Sequence, residues 1–160
     1  MDRLWAPWRM PYIMSTVKQQ EDGCVFCKML AETEDERNLI LHRGSKAFVV
    51  MNLFPYNTGH LMIVPTRHTG DYDSLNPKEH LELTGLLAKS LSALSIALSP
   101  HGYNIGMNLG RASGAGIVDH LHYHVVPRWS GDSNFMSVVA DTKVISESLT
   151  DTWRRLKAAF

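Results

Sequence analysis

An α+β fold with a mainly antiparallel sheet is predicted by short runs of β-branched and aromatic residues spread along the chain, and by one long leucine-striped helix among them. The 160 residues, 44% of them hydrophobic, suit a single domain over 1–160 with a real core. Sixteen basic residues balance sixteen acidic ones. No whole-molecule field therefore exists to hold a nucleic acid polymer or an acidic membrane, and any anion must be bound by local groups.

Residues 1–22, with Trp5, Pro7, Trp8 and Pro11, read as an extended segment whose indoles need a surface to cover. Their prolines interrupt the apolar run that a secretion signal requires, and no stretch approaches about 20 uninterrupted apolar residues, so neither a signal peptide nor a membrane span is expected. Residues 28–37 (KMLAETEDER) predict a short helix running into a charged turn. Strands are expected over 39–43, over 47–52 (AFVVMN), and over 60–65 (HLMIVP), the last following a PYNTG turn and stopped by its proline. The clearest helix spans 76–99. Asn76 can cap it, Pro77 suits its first position, Glu79 completes a capping box, and Leu83, Leu87, Leu91, Leu94 and Leu98 form one apolar stripe. Strands over 103–109 and 120–129 follow, separated by a loop carrying Gly110, Gly114 and Gly116, and residues 130–160 form a tail ending in a short helix over 149–160.

Histidine is the unusual entry in the composition, with eight in the chain. On a strand, His120, His122 and His124 share one face, about 6.5 to 7 Å apart along the backbone. The glycine loop that leads into them can turn backbone N–H groups toward an anion. Imidazoles beside such a nest point to nucleophilic or acid–base chemistry at phosphorus. A zinc site and a half-exposed face of unengaged histidines are the competing readings. Cys24 and Cys27 form a CxxC too short to staple the fold, which leaves a redox pair, half a metal site or two inert thiols.

The ordered set GCVFCKML, AFVVMN, GHLMIVPTRH, the leucine-rich helix and GMNLGRASGAGIVDHLHYHVVPRW resembles the histidine-triad (HIT) family, whose signature stands here as HLHYHVV over 120–126. The resemblance implies a dimerising α+β fold that binds adenine nucleotides at the α-phosphate. It makes His122 the nucleophile that forms a nucleotidyl-histidine intermediate, with His60 and His124 holding phosphoryl oxygens. It assigns Asn52 to the ribose, and Asn108 with Gly114, Ala115 and Gly116 to the phosphate region. Many hydrolases of the family carry Ser or Gln where this chain has Gly116, and residues 108–136 instead resemble the diadenosine tetraphosphate phosphorylases, in which inorganic phosphate resolves the intermediate. Hydrolysis of phosphoramidates or dinucleoside polyphosphates, or nucleotide binding with little turnover, stands as the alternative. The resemblance further implies one structural zinc per chain on Cys24, Cys27, His68 and His120, and a homodimer. A cytoplasmic location is expected from the two unstapled cysteines and the absence of a secretion signal or membrane span. His42, His80 and His101 match no role and are expected to be solvated.

Overall fold

The computed structural model describes residues 23–132 and 145–160; the extended segment expected at the N-terminus and most of the tail before the last helix lie outside the described residues. The architecture is α+β. Helix α1 (Val25–Ala31) precedes strands β1 (Ile40–Arg43), β2 (Ala47–Met51) and β3 (Leu61–Pro65), then helix α2 (Pro77–Leu98), strands β4 (Gly102–Met107) and β5 (Tyr123–Arg128), and helix α3 (Leu149–Lys157). The five strands form one sheet in the order β1-β2-β3-β5-β4, antiparallel at every pairing.

Strand alternation sorts the sheet's side chains into two cores. Ala47, Val49, Met51, Leu61, Ile63 and Val125 face α2 and α3, where Leu83, Leu86, Leu94, Trp153 and Leu156 close the larger core. Phe48, Val50, Met62 and Val64 face the other way and pack with Phe26 of α1. Asn52 continues the parity of Val50, and His60 that of Met62. His124 pairs with Met62 across β3 and β5. The polar candidates are therefore delivered to the face that α1 covers.

The helices end and begin as their local chemistry dictates. Asn76 accepts from the N–H groups of Lys78 and Glu79, and the Glu79 carboxylate returns to the Asn76 N–H at 2.8 Å. Arg67 grips that carboxylate with two N–H groups, at 2.8 and 3.0 Å, and holds it well below the usual range, at about 2. Ser99, in a left-handed conformation at φ +46°, ends α2 one residue ahead of the expected Pro100. The helix is long and apolar enough to cross a bilayer by length and composition, but its leucine stripe is spent on the larger core.

Two sequence expectations need correction. The first helix is Val25–Ala31 rather than 28–37, so it starts inside the CxxC. Its terminal carbonyls are taken by Arg43, which donates to the oxygens of Met29, Leu30 and Glu32. The last sheet strand begins at Tyr123, not His120. Continuing the register would set His122 and Leu121 opposite Val64 and Pro65, and Pro65 has no N–H to offer the ladder. Residues 120–122 peel away, and Leu121 donates instead to the Thr69 carbonyl at 2.8 Å.

Candidate functional site

Four imidazoles, those of His60, His120, His122 and His124, gather on the α1 face. His60 and His120 are fully buried and His122 is 5% exposed. His60 follows Gly59, whose φ of +76° and 2.5 Å approach of Leu98 Cδ1 to a would-be Cβ favour glycine. This turn brings the His60 ring against that of His124, with ring centres 5.1 Å apart, and the His122 ring lies 4.8 Å from that of His124.

Proton positions follow from the partners. His122 Nδ1 lies 2.9 Å from the carbonyl of His120. A carbonyl only accepts, so the proton is on Nδ1 and the lone pair on Nε2. The Tyr56 backbone N–H donates to His60 Nδ1 at 3.1 Å. The Asn52 amide presents Nδ2 to the same nitrogen at 3.4 Å, oriented by its Oδ1, which accepts the Phe54 N–H at 2.9 Å. His60 Nδ1 is thus bare, its proton sits on Nε2, and Nε2–H donates to His124 Nδ1 at 2.9 Å. His124 in its neutral form carries its proton on Nε2. The result is one imidazole with a nucleophilic lone pair beside another that offers an N–H. Burial, reinforced by the neighbouring His124 and His122, pushes His60 down to about 3, and burial lowers His122 as well, so both are neutral around pH 7.

A second cluster lies behind the first. The loop after β3 carries His68 toward His120, and Gly70 packs so closely on Val118 that a Cβ would stand 2.7 Å from the Val118 oxygen. The donor atoms of Cys24, Cys27, His68 and His120 all lie within 4.8 Å of one another. Cys24 Sγ is 3.2 Å and Cys27 Sγ 3.7 Å from His120 Nδ1, Cys27 Sγ is 3.5 Å from His68 Nδ1, and the two Nδ1 atoms are 3.2 Å apart. Tetrahedral zinc bonds of about 2.3 Å to sulfur and 2.0 to 2.1 Å to nitrogen set donor separations of about 3.3 to 3.8 Å. These four separations lie close to that range and every pair is within 4.8 Å, so the residues fit a zinc ion after a small adjustment. His120 Nε2–H donates to the Pro65 carbonyl at 2.8 Å, which turns the lone pair on Nδ1 toward the cluster. Burial and the adjacent Cys24 thiol push the Cys27 thiol up, a cost that a cation would reverse.

Asn52 stands beside His60, as above. Asn108 lies just after β4, and Gly114, Ala115 and Gly116 lie in the connection leading to His120. Among the described residues, no hydrogen bond joins the Asn108 side chain to the imidazoles. Of the three histidines expected to be solvated, His101 is exposed, with its Nδ1 accepting the Ser130 N–H at 3.0 Å, whereas His42 and His80 are half-buried, His42 stacked on Phe160 and His80 with its ring edge against Tyr72. Other residues of the site were not singled out from sequence. Phe26, 1% exposed, packs at 5.3 Å between ring centres against both His120 and His122. The N–H of Tyr56 acts through its backbone, which a side-chain pattern does not encode. The sequence signal for Phe26 was its place inside the CxxC.

A family model described as HIT domain matches residues 32–131. An AP-4-A phosphorylase of Mycobacterium tuberculosis is 38% identical over 98% of this chain and 83% of its own length. Among solved structures, a zinc-bound histidine triad family protein from Mycobacterium smegmatis superposes with a TM-score of 0.69 at 25% identity, over 86% of this chain and 93% of that one. A hypothetical histidine triad nucleotide-binding protein from Sulfolobus tokodaii shares the fold, with a TM-score of 0.69 at 20% identity over 85% of this chain and 91% of its own.

Proposed function

The chain belongs to the HIT family, and on that premise we propose that it is a nucleotidyl transferase acting at the α-phosphate of dinucleoside polyphosphates, with inorganic phosphate as acceptor: a diadenosine tetraphosphate phosphorylase. The observation that carries this reading is the tautomer order, a bare His122 Nε2 beside the His60 to His124 donor pair. The 38% identity to an AP-4-A phosphorylase supports the substrate class.

In the proposed reaction, His122 Nε2 forms a bond to the α-phosphorus as the bond to the bridging oxygen breaks in line with it, and ATP leaves. The Nε2–H of His124, backed by His60, donates to a non-bridging oxygen and stabilises the charge that develops there. Inorganic phosphate then attacks the same phosphorus, giving ADP and restoring His122. Asn52 orients the ribose, and Asn108 with the backbone of Gly114, Ala115 and Gly116 borders the phosphates. Gly116 offers no side chain to a leaving group or a water, which leaves space for the second phosphate.

Cys24, Cys27, His68 and His120 would hold a structural zinc, one per chain. Its chemistry when bound is that of a cross-link between α1, the end of β3 and the segment before β5, with no reacting atom supplied. We read the chain as one domain, because α3 packs into the same core as α2. We also read it as a homodimer: β4 is a sheet edge, and Ile96, Ile105 and Leu109 are 70%, 46% and 50% exposed. Two free cysteines suit the reducing cytoplasm.

Turnover of diadenosine tetraphosphate with and without inorganic phosphate tests the reading. ADP and ATP are expected, and only with phosphate. AMP formed from water makes the protein a hydrolase, and tight AMP binding without products makes it a binding protein.

A further inference from the structure

Between β2 and β3, residues 53–59 form a loop that buries little of itself: Leu53 and Phe54 are 54% and 53% exposed. Yet this loop supplies the Tyr56 N–H on which the tautomers of His60 and His124 depend. Apart from the Tyr56 ring, which lies against the His60 and His124 imidazoles, its large apolar side chains are exposed, so polar contacts carry much of the hold.

Those contacts converge on Asp132. Its side chain is 8% exposed, whereas that of its ion-pair partner Arg128 is 46% exposed. Oδ2 accepts from Arg128 Nε at 2.6 Å, from Asn57 Nδ2 at 2.8 Å and from the Trp129 N–H at 3.2 Å, while Oδ1 accepts from Arg128 Nη2 at 2.9 Å. An exposed ion pair adds little order, but a shielded carboxylate taking four N–H groups, two of them from one guanidinium, is a fixed point. Arg128 Nη1 extends the hold to Asn104 of β4 at 2.7 Å. Asn57 is 7% exposed and gives its Nδ2 hydrogens to Asp132 and to the Pro127 carbonyl at 3.1 Å, so its side chain has one orientation. Its own backbone carbonyl accepts the His60 N–H at 3.1 Å. The amide that sets the His60 tautomer belongs to the residue just before Asn57 in the chain.

We propose that Asp132 is a positioning residue for nucleotidyl transfer: through Asn57 it holds the Tyr56 N–H on His60 Nδ1, and thereby keeps an N–H, rather than a lone pair, on the Nε2 of His124. The role rests on the reading of His124 as the donor to a phosphoryl oxygen. A scaffold without Asp132 would let His60 flip its proton to Nδ1. His60 Nε2 would then be an acceptor, the His124 proton would move to Nδ1, and a lone pair would face the anionic oxygen.

Nitrogen-15 NMR of histidine-labelled protein reads each tautomer without substrate. The wild type should show His60 and His124 protonated on Nε2 and His122 on Nδ1. In Asp132→Asn, His60 and His124 should exchange between tautomers while His122 is unchanged. At saturating diadenosine tetraphosphate, single-turnover formation of the nucleotidyl adduct should slow about ten-fold, with KM within about two-fold. Wild-type imidazole signals and a wild-type rate in a variant that has only lost thermal stability overturn the proposal. Should Asp132→Asn not fold, Asn57→Ala keeps the ion pair and opens the same link, and unchanged His60 and His124 signals there overturn the proposal equally. If the wild type forms no adduct and Asp132→Asn still scrambles the two tautomers, the positioning role stands and the assigned reaction falls.

Discussion

The two imidazole clusters look alike by distance and differ in kind. His68 and His120 face each other through Nδ1 atoms 3.2 Å apart, and His60 and His124 meet at 2.9 Å. What separates them is the commitment of the other ring nitrogens. His120 has given its Nε2–H to Pro65, so the lone pair on Nδ1 looks at Cys24, Cys27 and His68, an arrangement that asks for a cation. His60 has had its Nδ1 lone pair taken by Tyr56, so it is left with a proton to give. The nature of each cluster is written in its outer partners, and His120 belongs to both, since its carbonyl accepts the hydrogen bond of His122 Nδ1–H.

The comparison is broken most sharply at His122. Replacing it with Ala should lower turnover of diadenosine tetraphosphate by at least about 10⁴-fold, as loss of a covalent nucleophile does, and should abolish the adduct in intact-mass spectra. Zinc content measured on the same sample should remain one per chain. A His122→Ala protein that turns over at the wild-type rate removes the nucleophile assignment, and one that has lost its metal makes the triad a ligand set. The reverse experiment is Cys24→Ser, which should lose zinc and at least about 3 kcal/mol of stability in denaturant titration, the linkage expected of a ligand whose Kd lies well below its free concentration. Equal stability of wild type with and without chelator would make the thiols inert.

How much of this division could be read from the chain depends on how local each cause is. The capping box at Asn76, the stripe of α2 and the proline that ends β3 are set within a few residues, and they stand where the pattern puts them. Parity carried His60, Asn52 and His124 to one face because alternation is a local rule too. The start of β5 was misplaced because Pro65, the residue that stops the ladder, lies on the partner strand. The cap on α1 is Arg43, and the clamp on the His60 loop joins residues 75 apart. No spacing rule reaches such pairs, and no side-chain motif reports a backbone N–H such as that of Tyr56.

A smaller effect separates the clusters by pH. Burial holds the folded-state value of His60 at about 3, below the ordinary 6.5 that the unfolded chain retains. Below 6.5 the unfolded chain takes up the proton first, so the stability that neutral His60 contributes is complete above pH 6.5 and is lost as the pH falls toward 3. The slope is at most about 1.4 kcal/mol per unit. Urea titrations at pH 6.5 and 4.5 should show the wild type losing about 2 kcal/mol more than His60→Gln. Comparing the two proteins at each pH cancels any acid loss of metal, which is common to both. Parallel losses would mean that His60 is already solvated and that its bond to His124 does not order the site.

The smallest effect tests whether the clusters are mechanically separate. The Phe26 ring lies between them, edge-on to His120 and tilted on His122, on the short helix that starts inside the CxxC. If the metal and the outer hydrogen bonds define each cluster, the ring is only a spacer. Phe26→Leu, which keeps most of the apolar volume, should then cost about 1 kcal/mol of stability. Zinc should stay at one per chain, and adduct formation on His122 should slow by less than about ten-fold. Loss of zinc in this variant would show that the ring holds His120 in its ligand position, and the two clusters would have to be treated as one packing unit. A rate loss as large as that of His122→Ala, with zinc retained, would instead show that His122 owes its aim to the ring rather than to the carbonyl of His120.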